Sequence, residues 1–211
     1  MHKILPLPMT GVRPLVLVHG LWDTPHVFRR LQQYLEPRPG EIMAPHLPHR
    51  LGSTPLLTLA QDLDDAIQAR FGPEQPIDLL GFSMGAIISR SWIQLLGGHQ
   101  RTRCFLSLGS PQHGTLGAQP WPRALLPGVA DMKSGSALLR QLNRDVSTLG
   151  SIDCMSFYCP WDLMVIPSWT GVLPIGPKQA LPVWNHRQLI QSPRALRPVA
   201  EHLLQWSERW V

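Results

Sequence analysis

The sequence contains few charged residues, since Asp, Glu, Lys and Arg make up 16% of its 211 positions, against roughly 25% in an average globular chain. The 19 basic side chains are spread along the chain instead of clustered, which argues against a nucleic-acid-binding surface. No apolar run reaches the 18 residues that a transmembrane helix needs. Because 44% hydrophobic residues accompany so little charge, some apolar side chains must face solvent.

Cysteine is also scarce, with three residues at Cys104, Cys154 and Cys159. An odd number cannot pair completely within one chain, and the apolar neighbours of Cys104 and Cys154 predict buried free thiols in a reducing compartment. No Cys or His spacing is typical of zinc, and we expect neither a metal nor a cofactor. The first 14 residues make a poor signal peptide because Pro6 and Pro8 interrupt a short apolar run. We therefore expect a cytoplasmic protein whose membrane contact, if any, is peripheral.

Proline, in contrast, is abundant, with 22 residues in 211 against a usual share of about 5%. Each proline removes a backbone donor and disfavours helix in the residue before it. An all-helical bundle is therefore excluded. The prolines avoid the stretch between Pro76 and Pro111 and concentrate in the segments around it, which predicts rigid loops beside an uninterrupted central unit.

Buried apolar runs alternate with amphipathic stretches along the chain. Strands are predicted at 15–19, 41–44, 77–80, 103–108, 151–158 and 179–183, and helices at 25–35, 56–71, 85–96, 136–143 and 195–210. This alternation predicts a single α/β domain over residues 1–211, with a mostly parallel sheet of about six strands and helices on both faces. Ligands of such sheets bind outside the carboxyl ends of the strands.

One motif carries the chemistry, the segment Gly81-Phe82-Ser83-Met84-Gly85 between a predicted strand and a predicted helix. In that setting G-x-S-x-G indicates a sharp turn that exposes a nucleophilic serine, with glycines where a Cβ would not fit. An acyl-transfer site also needs two rigid N–H donors for the oxyanion. We assign them to Met84, which follows the serine, and to Leu21, which follows the first strand and its His19-Gly20 turn.

Five segments in order resemble the α/β-hydrolase superfamily, and in particular its small bacterial lipases and esterases. They are VLVHGLWDTPHVF, GFSMG, GSPQHGT, YCPWDLMVIP and NHRQLI, and the resemblance covers about residues 15–204. It implies a minimal version of that fold, without the N-terminal antiparallel strands, and a short lid or cap segment at residues 112–150.

The resemblance also implies a catalytic triad in the chain order Ser, Asp, His. Ser83 is the expected nucleophile, Asp162 the carboxylate that follows a strand, and His186 the base in a loop before the last helix. Asp153 and Asp145 are the weaker alternatives for the carboxylate, the first because it begins its strand at the opposite edge of the sheet. The competing histidines are His113, which precedes the aspartate, and His202, which lies within the last helix.

The implied activity is serine-dependent hydrolysis of carboxylic esters, with hydrophobic or lipid acyl groups as the expected substrates. Four tryptophans predicted in loops at the carboxyl edge of the sheet support an apolar substrate, namely Trp22, Trp121, Trp161 and Trp169. Two alternatives stay open. The same triad serves thioesterases, amidases and acyltransferases, and the scaffold also occurs in non-catalytic interaction proteins.

Overall fold

A computed structural model describes residues 13–208. Its strands are β1 (Leu15–Val18), β2 (Ile42–Met43), β3 (Ile77–Phe82), β4 (Thr102–Leu108), β5 (Asp153–Tyr158) and β6 (Lys178–Ala180). Its α-helices are α1 (Arg29–Tyr34), α2 (Leu56–Phe71), α3 (Met84–Leu95), α4 (Pro127–Asp131), α5 (Ala137–Arg144) and α6 (Pro193–Glu208). Short 3-10 turns occur at Pro25–Phe28, Arg50–Gly52, Gly98–Gln100, Leu116–Ala118, Ser147–Ser151, Ser168–Gly171 and His186–Ile190.

The six strands form one sheet in the order β2-β1-β3-β4-β5-β6, and every neighbouring pair is parallel. The predicted fold class is therefore confirmed. Parallel strands lack the two-residue hairpins of antiparallel sheets and need crossover segments, which here are mostly helical. The continuous apolar character of β1, β3 and β4 follows from burial on both faces.

Alternate residues of β1, β3, β4 and β5 enter two separate hydrophobic cores, one on each face of the sheet. Val16, Leu79 and Phe105 pack with α2, α3 and α5 on one face. Leu17, Leu80 and Leu106 pack with α1 and α6 on the other. The period of two along a strand thus places the helices on both faces.

Some predicted boundaries differ from those observed. The predicted helix 25–35 is a 3-10 turn over Pro25–Phe28 followed by the short α1. The predicted strand 179–183 begins earlier and ends at Ala180. The last helix was expected to extend to Trp210, which lies outside the described residues. Residues 1–12, most of the segment that makes a poor signal peptide, lie outside them as well.

A buried charge cluster holds the amino end of the sheet together. Asp78, at the start of β3, accepts hydrogen bonds from Arg13 Nε at 2.9 Å and Arg38 NH2 at 2.8 Å, and all three side chains are almost fully buried. Burial lowers the pKa of Arg38, against the opposing effect of Asp78. This cluster lies at the edge opposite to the carboxyl ends of the strands, so its role is structural.

Candidate active site

Ser83 occupies a sharp turn between the end of β3 and the start of α3. Its backbone has φ 54° and ψ −126°, a conformation that side-chain-bearing residues rarely adopt. Its N–H donates to the carbonyl of Leu108 at 2.9 Å, which fixes the turn to the end of the neighbouring strand β4. The strained geometry is the one that exposes the nucleophile in hydrolases with a G-x-S-x-G motif.

The glycines around Ser83 are required by close contacts. A Cβ on Gly81 would lie 2.2 Å from the Cα of Ala86, and a Cβ on Gly85 would lie 2.1 Å from the carbonyl oxygen of Val18. A Cβ on Gly20, at the end of β1, would lie 2.9 Å from the Cβ of Ser83. Three glycines therefore allow the two strand-end turns to approach each other.

The two amides that we expected to bind an oxyanion follow the neighbouring strands β1 and β3. Met84 is the first residue of α3, and the first N–H groups of a helix have no partner within it. Leu21 follows Gly20 and borders the same cavity as Ser83.

His19 stabilises the turn that carries Leu21. Its fully buried ring accepts the N–H of Leu47 at Nε2, at 3.1 Å, while Nδ1 lies 3.1 Å from the carbonyl oxygen of Gly20. The accepting Nε2 requires a neutral ring with the proton on Nδ1. Burial lowers the pKa of His19, in agreement with a neutral imidazole between two backbone groups.

Asp162 and His186 form a close pair at the carboxyl edge of the sheet. The Oδ2 atom of Asp162 lies 2.6 Å from Nδ1 of His186. Its Oδ1 atom accepts the N–H groups of Met164 and Val165 at 2.8 Å and 3.1 Å. Since an ionised carboxylate only accepts hydrogen bonds, these three donors orient the aspartate and hold it toward His186.

The ring of His186 is held from two further sides. It stacks on Phe82, the residue before Ser83, with ring centroids 5.0 Å apart. Gly109, after β4, leaves the space that His186 and Leu189 need, because a Cβ there would lie 2.3 Å from Leu189 Cδ1. Both Ser83 and His186 border one cavity.

The alternative residues lie elsewhere. Asp153 is exposed at the first position of β5, and exposed Asp145 accepts the N–H of Ser147 in a turn at 2.9 Å. His113 is exposed, and its backbone N–H donates to the carbonyl of Thr170 at 3.1 Å. His202 packs in α6 against Trp206.

The cavity in front of Ser83 has a volume of about 820 Å³, within the range usual for small-molecule sites. Its walls are mainly aliphatic and aromatic. The sequence predicted Leu21, Trp22 and Trp121 at this site, but not the apolar residues of distant segments that also line it, which are Leu51, Leu126, Val129, Met132, Leu163, Met164 and Val165. The left-handed turn of Arg50 and Leu51 is one feature that no sequence signal indicated.

A rim of exposed apolar side chains surrounds the cavity mouth. Trp22, Leu51, Trp121 and Leu163 border the cavity and are 46–78% exposed. Trp161 and Trp169 are exposed outside the cavity wall, and Trp161 stacks on exposed Trp184 at 6.3 Å. Single exposed apolar residues are ordinary, whereas large contiguous apolar patches are typical of interaction surfaces.

Residues 112–150, where the resemblance implies a lid, contain α4 and α5. The buried guanidinium of Arg90 in α3 donates to carbonyl oxygens of Gln112 and Leu142 and to the side chain of Asn143. Burial lowers the pKa of Arg90 to about 10. Arg90 thus holds both ends of this segment against the helix that follows Ser83. The residues of the segment that line the cavity lie between these ends, at 115–132.

Residues 13–208 contain neither a cluster of metal ligands nor a membrane-spanning helix. No three His, Cys, Asp or Glu side chains are grouped as ligands of a metal ion. Among the helices of this range, none has both the length and the hydropathy to span a bilayer.

The most similar curated sequences include thioesterases. The human protein named lysosomal thioesterase PPT2 is 29% identical over 119 residues, which cover 54% of this chain and 39% of the human one. The rat protein of the same name is 30% identical over 128 residues, covering 58% of this chain and 42% of its own. The chain therefore matches less than half the length of these relatives.

Solved structures share the fold at low sequence identity. The mature lipase BlEst2 of Bacillus licheniformis has a TM-score of 0.71 at 17% identity and covers 96% of each chain. The metagenomic carboxyl esterase MGS0156 has a TM-score of 0.72 at 15% identity, with 99% of this chain and 80% of its own covered. The thioesterase RedJ from Streptomyces coelicolor has a TM-score of 0.62 at 18% identity over 94% of this chain and 91% of its own. The model of the alpha/beta hydrolase family matches residues 15–208, and the chain belongs to that family.

Proposed function

We propose that this protein is a serine hydrolase that cleaves carboxylic esters of hydrophobic acyl groups. The observation that carries the proposal is the shared cavity, in which Ser83 and His186 border a mainly apolar chamber of about 820 Å³. The 2.6 Å contact between His186 and Asp162 supports a triad, since a base that accepts the serine proton needs a carboxylate to orient it.

The proposed reaction has two steps. His186 takes the proton of Ser83 as the serine oxygen attacks the acyl carbon, and the N–H groups of Leu21 and Met84 bind the oxyanion. The bond to the leaving group breaks, and His186 transfers its proton to that group. Water, activated by His186, then attacks the acyl-enzyme and releases the acid. Asp162 stabilises the imidazolium in both steps.

The test is the substitution Ser83→Ala, with hydrolysis of p-nitrophenyl octanoate as the readout. We expect kcat/KM to fall at least about 10³-fold. Ser151→Ala is the matched control, because Ser151 is exposed and does not border the cavity. Full activity in Ser83→Ala would refute the proposed nucleophile.

A thioesterase is the second candidate, and the names of the human and rat relatives and of RedJ favour it. The same residues cleave a thioester, because the bond to sulfur is broken in place of the bond to oxygen.

Ratios of kcat/KM for octanoyl esters, thioesters and anilides separate an esterase from a thioesterase or an amidase. The acyltransferase reading predicts transfer to an added alcohol. A non-catalytic protein would cleave none of these substrates.

We also propose that the exposed rim contacts a lipid surface. Tryptophan suits the boundary between headgroups and acyl chains, and Arg50 is an exposed cation beside Leu51 of the rim that suits anionic lipid. Cosedimentation with vesicles of phosphatidylglycerol tests this contact. Binding should fall in a Trp161→Ser/Trp184→Ser variant. Equal binding by that variant and the native protein would contradict the proposed contact between the rim and lipid.

A reducing compartment such as the cytoplasm is proposed as the location. The support is that all three cysteines are buried free thiols, a state favoured where disulfides do not persist. The human and rat relatives carry the word lysosomal in their names. Fractionation of cells that express the tagged protein distinguishes the two locations, and recovery in the lysosomal fraction would contradict this one.

A further inference from the structure

A second cavity, of about 470 Å³, lies directly beside the cavity that Ser83 and His186 border, which we name the acyl cavity. Its wall carries the basic side chains of Arg29, Arg30 and Arg187, the ring of His26 and a single carboxylate, Asp23. We name it the arginine groove. Its lining is about half polar, whereas that of the acyl cavity is mainly apolar, so the two together form an amphipathic site.

The groove has an excess of positive charge. Asp23 pairs with Arg187 through a contact of 2.6 Å between Oδ1 and NH1, which neutralises one of the three guanidinium groups. Arg30 donates to the carbonyl of Gln191 at 3.0 Å, which orients it without neutralising it. Within residues 13–208, Arg29 has no carboxylate within ion-pair distance. Two guanidinium charges thus remain for a ligand.

The two cavities share three lining residues, since Trp22, Asp23 and Arg187 border both. Arg187 directly follows His186, the group that gives its proton to the leaving atom in the proposed reaction. The leaving group must therefore depart on the side of His186. With the acyl chain in the apolar cavity, the arginine groove is the polar space that adjoins that side through Arg187.

We infer that the arginine groove binds a phosphate carried by the leaving group. The inference rests on the proposed function and narrows its substrates to acyl esters or thioesters of a phosphorylated alcohol or thiol. Planar guanidinium groups bind phosphate oxygens through paired, charge-assisted hydrogen bonds. A carboxylate would be satisfied by one such fork, whereas Arg29 and Arg30 together suit the three terminal oxygens of a phosphate.

The phosphate takes no part in bond making. Ser83 forms a bond to the acyl carbon, the bond from that carbon to sulfur or oxygen breaks, and the proton from Ser83 reaches the leaving atom through His186. The phosphorylated thiol or alcohol then leaves intact along the groove. Two sources supply this chemistry, a nucleotide-linked thioester such as an acyl-coenzyme A and the headgroup of a phospholipid.

The experiment compares three substrates with the same acyl chain. They are p-nitrophenyl octanoate, which lacks phosphate, octanoyl-coenzyme A and monomeric dioctanoylphosphatidic acid. Arg29→Gln/Arg30→Gln should raise KM at least about tenfold for the phosphorylated substrate that the groove accepts, relative to the neutral ester, with kcat little altered, because the contact is equal in ground and transition states. Arg197→Gln is the matched control, since Arg197 is exposed on α6 outside both cavities.

A measurement on the unaltered protein complements the variants. At constant ionic strength, inorganic pyrophosphate should raise the KM of the phosphorylated substrate and leave that of the neutral ester unchanged. Arginine dependence with octanoyl-coenzyme A alone assigns a nucleotide-linked thioester, and dependence with the phosphatidic acid alone assigns a phospholipid. Suppose that the neutral ester is cleaved, that the ratio of KM between the phosphorylated and neutral substrates is the same in all variants, and that pyrophosphate has no effect. This result overturns the inference about the groove and leaves the hydrolase proposal standing. Failure to cleave any of the three substrates overturns the hydrolase proposal, and this inference with it.

Discussion

Asp162→Asn is the substitution that probes the proposed triad most finely, because it keeps the size of the side chain and removes its charge. In the native protein every contact of the carboxylate is that of an acceptor. Oδ1 accepts from Met164 and Val165, and Oδ2 accepts from His186. An asparagine has one oxygen and one NH2 group, so it cannot accept on both sides.

The size of the effect on kcat depends on whether the amide oxygen of the asparagine faces the backbone donors or His186. Two backbone donors at 2.8 Å and 3.1 Å favour the oxygen on their side, which turns the NH2 group toward Nδ1 of His186. That nitrogen must then accept, and the ring proton moves to Nε2. A ring protonated at Nε2 cannot take the proton of Ser83. The equivalent change in a protease triad lowers kcat about 10⁴-fold, or about 5.5 kcal/mol in the activation free energy.

For Asp162→Asn we therefore expect kcat for p-nitrophenyl octanoate to fall about 10³- to 10⁴-fold while the circular dichroism spectrum stays native. Asp145→Asn is the matched control, since Asp145 is exposed in a turn and does not line the cavity, and its kcat should stay within about twofold. A folded Asp162→Asn variant that keeps more than a tenth of the native kcat would refute this use of Asp162.

Three further predictions concern stability and reactivity. Gly85→Ala, whose Cβ would lie 2.1 Å from the oxygen of Val18, should lower the free energy of unfolding in urea by at least about 3 kcal/mol. The control Gly150→Ala, whose Cβ meets nothing within 4 Å, should change it by less than about 0.5 kcal/mol. Equal effects of the two substitutions would contradict the packing argument. The Cys154 thiol, whose pKa burial raises to about 12, should resist iodoacetamide at pH 8 until urea unfolds the chain, and rapid native labelling would contradict this. His19 has a lowered pKa in the folded state, so its contribution to stability is complete above the unfolded-state pKa of about 6.5 and is lost as pH falls through the lower folded-state pKa. His19→Gln should therefore flatten the decline in unfolding free energy from pH 7.5 to 5. An unchanged decline would contradict this role of His19.

The sheet was predictable because its strands are buried on both faces and read as continuous apolar runs. The segments Leu15–Val18 and Thr102–Leu108 differ from the predicted bounds by one residue. Local pattern was less informative where tertiary contacts decide the conformation. Residues 25–28 have helical spacing and a proline at the first position, yet they form a 3-10 turn, and β6 is a three-residue edge strand with all side chains exposed.

The candidate site was predictable at its glycine-containing turns and unpredictable at its walls. The motif around Ser83 indicates its own backbone geometry, because the turn needs glycine at fixed positions. The roles of Leu51, Val129 and Met132 in the cavity depend on packing between segments about 80 residues apart. For example, Gly52 packs directly against the side chain of Val129. The arginine groove joins residues 23–30 to residues 187–191, a proximity that only the fold reveals.

The central claim, that Ser83 is an activated nucleophile, is tested most directly by covalent labelling. The native protein is incubated with a long-chain fluorophosphonate, digested and analysed by mass spectrometry, with urea-unfolded protein as the reference. We expect a single adduct, on the peptide that contains Ser83, formed only in the native state and lost in the His186→Ala variant. An unlabelled native protein, or an adduct on a different residue, would contradict the claim.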